Sequence, residues 1–266
     1  MKKIAFFNRK GGTGKTTSVV NLSATFEKHR RKKILIVDCD SQTTATEYLL
    51  TYTPDRKGYS LKDVIEDNIP VKDVIERVYK NTPGGLDERD LYVIPSALDI
   101  DVMELDDYKA VSKVLEPLES EYDYCFFDLP PHLNGVALSA LIASDFVIVP
   151  AMADTDSLAG FNYLMDHISQ IREQGLNTHL EILGILFNNV IHQRAVQKMI
   201  LASARENMED LVFNHSIKAG SIVEQARFTG TPLPYYTGSN PIVTQYEDLS
   251  KEIEKKIMMK EMRKNG

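Results

Sequence analysis

Apolar residues along this chain come in short runs, each closed by an asparagine, an acid or a proline. Lys3-Ile4-Ala5-Phe6-Phe7 is the first and Lys33-Ile34-Leu35-Ile36-Val37 the second. Leu91-Tyr92-Val93-Ile94, Tyr124-Cys125-Phe126-Phe127 and Phe146-Val147-Ile148-Val149 follow, then a run over 180–187. Runs of four or five apolar residues without alternation fit strands covered on both faces, as in a parallel sheet. Helical spacing between them predicts helices over 18–26, 102–118, 156–174, 194–208 and 242–262, with a short strand at 211–213. Strand–helix alternation of this kind predicts an α/β fold: a doubly wound, mainly parallel sheet flanked by helices.

Residues 51–90 break the rhythm. They are polar and carry Pro54, Gly58, Pro70, Pro83, Gly84 and Gly85. Leu61-Lys62-Asp63-Val64-Ile65-Glu66 and Val71-Lys72-Asp73-Val74-Ile75-Glu76 resemble each other, but no third copy exists, so two short amphipathic helices explain them better than a repeat. The expected organisation is one domain over 1–266, with a rim excursion at about 51–90 and a C-terminal helix at about 242–263.

Composition narrows the function classes. The chain has 266 residues, 43% hydrophobic and 26% charged, ordinary for a globular protein with a sizeable core. A formal net charge of −7 excludes a polycation, so any nucleic-acid contact must come from a local patch. The two cysteines, Cys39 and Cys125, lie in apolar runs and suit buried thiols in a reducing compartment rather than a disulfide framework. Asn8-Arg9-Lys10 ends the first apolar run too early for a secretory signal, and the apolar run from Phe146 is too short to span a bilayer. A cytoplasmic location is expected.

The chemistry is concentrated after the first run, in Asn8-Arg9-Lys10-Gly11-Gly12-Thr13-Gly14-Lys15-Thr16-Thr17. Strand, glycine-rich turn and helix in that order form a phosphate-binding loop. Its glycines allow several N–H groups to converge on one anion, and the helix N-terminus adds partial positive charge there. Lys15 can reach the outer phosphates and the Thr16 hydroxyl can sit on Mg²⁺. The pattern G-x-x-x-x-G-K-[ST] is not met, because Arg9 stands where its first glycine belongs, and a second lysine, Lys10, opens the loop. Asp38 and Asp40 follow the second run and Asp128 closes Tyr124-Cys125-Phe126-Phe127. Acids at the carboxyl ends of parallel strands face the ligand cleft, and Asp128 is placed to hold the hydration shell of Mg²⁺.

With Lys10-Gly11-Gly12-Thr13-Gly14-Lys15-Thr16-Thr17, Asp38-Cys39-Asp40-Ser41-Gln42 and Asp128-Leu129-Pro130-Pro131 in this order, nearly the whole chain resembles the ParA family. These are ATPases of the deviant Walker A type that segregate plasmids and chromosomes, relatives of MinD. The resemblance implies a P-loop NTPase fold, ATP and Mg²⁺ as cofactors and weak hydrolysis of ATP to ADP and phosphate. It implies that Lys10 is the signature lysine crossing to the partner subunit's nucleotide, that Lys15 acts in cis, and that Thr17 adds a phosphate contact. Asp40 resembles the acid that positions the attacking water, Asp38 supports Mg²⁺ or the loop, and Asn188 lies where relatives contact adenine. Gly11, Gly12, Thr13 and Gly14 complete the nucleotide cradle. Asp154 matches an acidic position whose role the resemblance leaves open. Family members often read Asp-Pro-Gln-Gly-Asn where this chain has Asp40-Ser41-Gln42-Thr43-Thr44, which changes the backbone freedom of that loop.

The implied activity is DNA partitioning: an ATP-driven sandwich homodimer on non-specific DNA, reset when a ParB-like centromere-binding protein stimulates hydrolysis, in a cytoplasmic, nucleoid-associated pool. Candidate DNA contacts are Arg194, Lys198, Lys218 and Arg227, with Arg205 on the same helix as the first two. Two other classes compete. A MinD-like positioning ATPase would use the C-terminal helix on a membrane, but Glu252, Glu254 and Glu261 oppose it, and a helix docked on the domain is the expected state. A redox protein like the nitrogenase iron protein needs exposed thiolates at a dimer axis, and Cys39 and Cys125 are wrongly placed for that.

Overall fold

Most of the strands form where the sequence offers apolar runs, and helices fill most of the stretches between them. In the computed structural model the chain runs β1 (Lys2–Phe6), α1 (Lys15–Arg30), β2 (Ile34–Asp38), α2 (Thr44–Leu49), α3 (Leu61–Glu66) and α4 (Val71–Val74). It continues through β3 (Glu76–Thr82), β4 (Gly85–Ile94), α5 (Ala110–Leu115), β5 (Tyr124–Asp128), α6 (Gly135–Ala143), β6 (Phe146–Met152) and α7 (Thr155–Glu173). The last part is β7 (Glu181–Asn188), α8 (Ala195–Asn207), α9 (Ser221–Phe228), α10 (Leu233–Tyr236) and α11 (Pro241–Asn265). The structure describes residues 1–208 and 210–265, without the side chains of 155–159 and 265.

The seven strands form one sheet in the order β3-β4-β2-β5-β1-β6-β7, parallel throughout except for β3 against β4. Alternate residues divide between two cores. Ala5, Leu35, Val37, Cys125, Phe127, Val147 and Val149 pack on one face under α5, α6 and α7, and Ile4, Phe6, Ile34, Ile36, Phe126 and Ile148 on the other under α1 and α11. Ile253 and Ile257 of α11 are buried in the second core, so that helix docks on the domain as expected.

The rim departs from the expectation. Val74 ends α4, and Glu76, expected in a helix, starts a strand that turns at Pro83-Gly84 into β4, six residues before the expected start at Leu91. The hairpin escapes the apolar-run criterion because it lies at the sheet edge, where Lys80 and Asn81 can stay in water. The helix expected over 102–118 is broken into a 3-10 turn at Ile100–Val102, α5 and a second 3-10 turn at Glu116–Leu118, where Pro117 withholds an N–H. The strand expected at 211–213 is reduced to one bridge between Val212 and Ile185.

The carboxyl ends of the strands meet along one edge. Both Phe6 and Asp38 are in register with Asp128, and Met152 with Asn188. β1 sits between β5 and β6, where the order of strands reverses direction, the position at which open α/β sheets hold ligands.

Candidate functional site

The loop after β1 is held from both ends. Asn8, 1% exposed, donates its Nδ2 to the Pro150 carbonyl at 2.8 Å and accepts the Lys10 N–H on Oδ1 at 3.0 Å. At the far end Gly14 has φ +84°, and a Cβ there would stand 2.9 Å from Asn188 Nδ2. Only glycine meets both conditions, the left-handed backbone and the close approach of the amide. Arg9, the departure from the usual pattern, turns away from the loop and lies over the Tyr163 ring at 4.9 Å from its centroid.

Lys15, the first residue of α1, is buried, and its Nζ donates to the Asn8 carbonyl at 3.3 Å. Burial pushes its pKa down, against the opposing charges of Asp128 and Asp40. Lys10 lies on the loop's outer side, with its ammonium 2.8 Å from Asp154 Oδ2. The Thr13 and Thr16 side chains differ in use: Thr13 is fully buried and its hydroxyl faces the Lys10 carbonyl at 3.4 Å, whereas Thr16 lies beside Asp128.

Asp38 and Asp128 form the acidic floor. Asp38 is fully buried and accepts from Asp40 N at 3.1 Å, Thr46 N at 2.9 Å and Thr46 Oγ1 at 2.7 Å. Burial outweighs these bonds and raises its pKa to about 6. Asp128 is pushed well up, by burial first and by the Asp38 charge second, and among the described residues neither of its buried oxygens accepts a well-formed hydrogen bond. A buried carboxylate with two idle oxygens beside a threonine hydroxyl fits a hydrated divalent cation, which supplies the charge the pair lacks. Asp40 is half-buried on the following turn, where its Oδ1 accepts the Gln42 N–H at 3.0 Å.

Asn188 closes the other side. Its Nδ2 donates to the Thr13 carbonyl at 3.0 Å and to Ser18 Oγ at 2.9 Å, while its Oδ1 is buried without a partner among the described residues. It lines a cavity of about 260 Å³ together with Gly12, Gly14, Thr17, Lys218 and Arg227. The basic residues singled out in the sequence therefore separate. Lys218 and Arg227 open on the same cavity as the loop, while Arg194 stands beside Asp154 in another groove, four residues before Lys198 on α8. The sequence reading missed Asn8, Ser18 and Thr46, which bind no expected ligand but fix Lys10, Asn188 and Asp38. Asn8 had a signal, an amide directly before the loop; the other two had none.

Cys39 and Cys125 are fully buried free thiols, and burial pushes both pKa values up, opposite to what exposed cluster thiolates need. Among the described residues no helix is long and apolar enough to cross a membrane.

A family described as "AAA domain" matches residues 1–182. The chain is 30% identical over 258 residues to the sporulation initiation inhibitor protein Soj of Bacillus subtilis, covering 95% of this chain and 98% of that one. It is 29% identical over 258 residues to the chromosome-partitioning ATPase Soj of Treponema pallidum, covering 95% and 96%. Among solved structures, the septum site-determining protein MinD of Pyrococcus horikoshii, complexed with Mg-ADP, superposes with a TM-score of 0.76 at 22% identity, covering 97% and 98% of the two chains.

Proposed function

The chain belongs to the ParA/MinD family of ATPases, and we propose that it is a DNA-partitioning member working as one unit over residues 1–266. The observation that carries this reading is the Asp128 carboxylate, buried with two idle oxygens opposite Lys15 and Thr16, in a chain similar along nearly its whole length to a chromosome-partitioning ATPase. In this reading the N–H groups of residues 11–16 and the Lys15 ammonium hold the phosphates of ATP. Thr16 and Asp128, backed by Asp38, would hold magnesium, which would supply positive charge beside the phosphates. Asp40 orients the attacking water from its turn, and Asn188 lines the base end of the cavity.

Lys10 gives the reaction its dependence on a second copy. It leaves Asp154 for the phosphates bound by the partner subunit, a cation supplied in trans, so that ATP closes the homodimer. A dimer doubles the basic surface of Arg194 and Lys198 and grips non-specific DNA through phosphates until a ParB-like protein stimulates hydrolysis. Mobility shift of random duplex DNA tests the reading: retardation with ATP that disappears with ADP and with raised salt supports it, and no retardation with either nucleotide overturns it.

One observation favours the MinD-like alternative: Met258, Met259 and Met262 are exposed along α11. Glu254 of the same helix is tied to Arg30 and Glu261 to Lys2, which speaks for a helix engaged with the domain. ATP-dependent co-sedimentation with anionic liposomes, lost on changing those methionines to serine, would establish the membrane reading.

A further inference from the structure

Asp101 does something that neither the loop chemistry nor the family likeness calls for. It sits in the 3-10 turn Ile100–Val102, anchored by the fully buried Ile100, and its carboxylate reaches outward. One oxygen, Oδ2, accepts from the Ser41 hydroxyl, and the other, Oδ1, accepts from Asn134 Nδ2 at 2.6 Å. Ser41 and Asn134 belong to two different loops. Ser41 adjoins Asp40, and the Asp40–Thr43 turn is closed by Thr43 N donating to the Asp40 carbonyl at 2.9 Å, so a displacement of Ser41 carries Asp40 with it.

Asn134 ends the loop that leaves Asp128. That loop has few bonds of its own, because Pro130 and Pro131 offer no N–H. Leu129 N reaches the Phe6 carbonyl at 3.4 Å and Asn134 N the His132 carbonyl at 3.0 Å. Asn134 already caps α6, its Oδ1 accepting Ala137 N at 2.8 Å, and its amide nitrogen is turned to Asp101 instead of water. Charge-assisted bonds of this kind are stronger than neutral ones, and here one carboxylate makes two.

We propose that Asp101 is a positioning residue that clasps the loop carrying Asp40 to the loop leaving Asp128, so that the water-orienting and magnesium-holding segments move as one. The inference rests on the roles given above to Asp40 and Asp128. Ser41 is one of the departures from the family's Asp-Pro-Gln-Gly-Asn, and a proline there has no hydroxyl to give. The clasp therefore supplies, through a side chain, a restraint on this loop that proline supplies through its ring.

Hydrogen–deuterium exchange of the nucleotide-free chain and steady-state ATP hydrolysis test it together. Asp101→Ala should speed exchange in 40–46 and in 129–137 together, and lower kcat on the order of fivefold with KM for ATP changed less than about twofold. Asn134→Asp keeps the cap on α6 but sets two carboxylates against each other, and should do the same. The exchange pair Asp101→Asn with Asn134→Asp restores a donor and an acceptor and should return both protection and kcat toward wild type. Exchange that rises in one loop or in neither overturns the clasp, as does recovered protection without recovered kcat. A wild-type chain that hydrolyses no ATP would overturn the assigned activity instead, leaving the exchange result to decide the clasp.

Discussion

The Lys10 ammonium lies 2.8 Å from Asp154 Oδ2, which ties the nucleotide loop to the segment that follows β6. Both side chains are partly open to solvent, at 34% and 40% exposure, and pairs of this kind contribute roughly 0.2–1 kcal/mol. Giving up this one pair for phosphates, the exchange proposed for Lys10, forfeits little of its own energy. Lys10→Ala should unfold within about 1 kcal/mol of wild type and still bind ATP, yet elute as a monomer in size-exclusion chromatography with ATP present. A Lys10→Ala chain that dimerises with ATP would remove the trans role.

Gly14 is where the loop tolerates least. An alanine would meet φ +84° and bring its Cβ to 2.9 Å from Asn188 Nδ2. Strain of that sort costs roughly 1–3 kcal/mol, so Gly14→Ala should lower the chemical-denaturation midpoint and abolish ATP binding together. Adding Asn188→Ala relieves the close approach but leaves the backbone angle, and stability should return only in part. Full recovery would mean that the amide, not the backbone, sets the requirement.

The nucleotide loop and the central strands were legible because their physics is local. Ile34 to Val37 and Tyr124 to Phe127 are buried on both faces, so no polar residue interrupts them, and Gly11, Gly12, Gly14, Lys15 and Thr16 carry their spacing in one short stretch. The β3–β4 hairpin was not, since an edge strand with one solvated face admits Arg77, Lys80 and Asn81 among its residues. α6 also escaped, because its nine residues are apolar nearly all round and show no helical periodicity against a polar face. The supports of the site lay out of sight for another reason. Asp101 meets Ser41 from 60 residues away and Ser18 meets Asn188 from 170, distances over which spacing carries no message.

Asp40 sits on a turn whose geometry Asp38 and Thr43 define, half-buried and clear of the phosphate loop's own bonds. Asp40→Ala should leave ATP affinity within about threefold while reducing turnover by roughly 10²-fold or more, the scale for loss of a water-positioning or general-base group. Such a chain should persist as an ATP-bound dimer, measurable by light scattering alongside phosphate release. Normal hydrolysis by Asp40→Ala would reassign the water.

The split among the basic residues separates two phenotypes. Arg194→Ala and Lys198→Ala should weaken random-sequence DNA binding and flatten its salt dependence, by about one unit of log–log slope for each phosphate no longer neutralised. Lys218→Ala and Arg227→Ala should act first on nucleotide affinity, because these side chains line the cavity shared with Thr17 and Asn188. Titration of a fluorescent ATP analogue distinguishes them: a fall for the second pair and not the first is the expected pattern.

The central seat of β1 sets the order in which the chain can become competent during synthesis. Residues 2–6 leave the ribosome well before their partners, residues 124–128 and 146–148. Until residues 146–148 have emerged, the strand that carries the nucleotide loop lacks its full pair of neighbours, and before residues 124–128 β2 lacks its parallel partner in β5 as well. Pairings this distant in sequence are slow to form, and a nascent chain stalled before Phe146 presents an apolar strand with an open edge. Early release should therefore yield aggregates rather than a small working ATPase, and the phosphate loop, though made long before β5 and β6, is among the last parts of the molecule to take its shape.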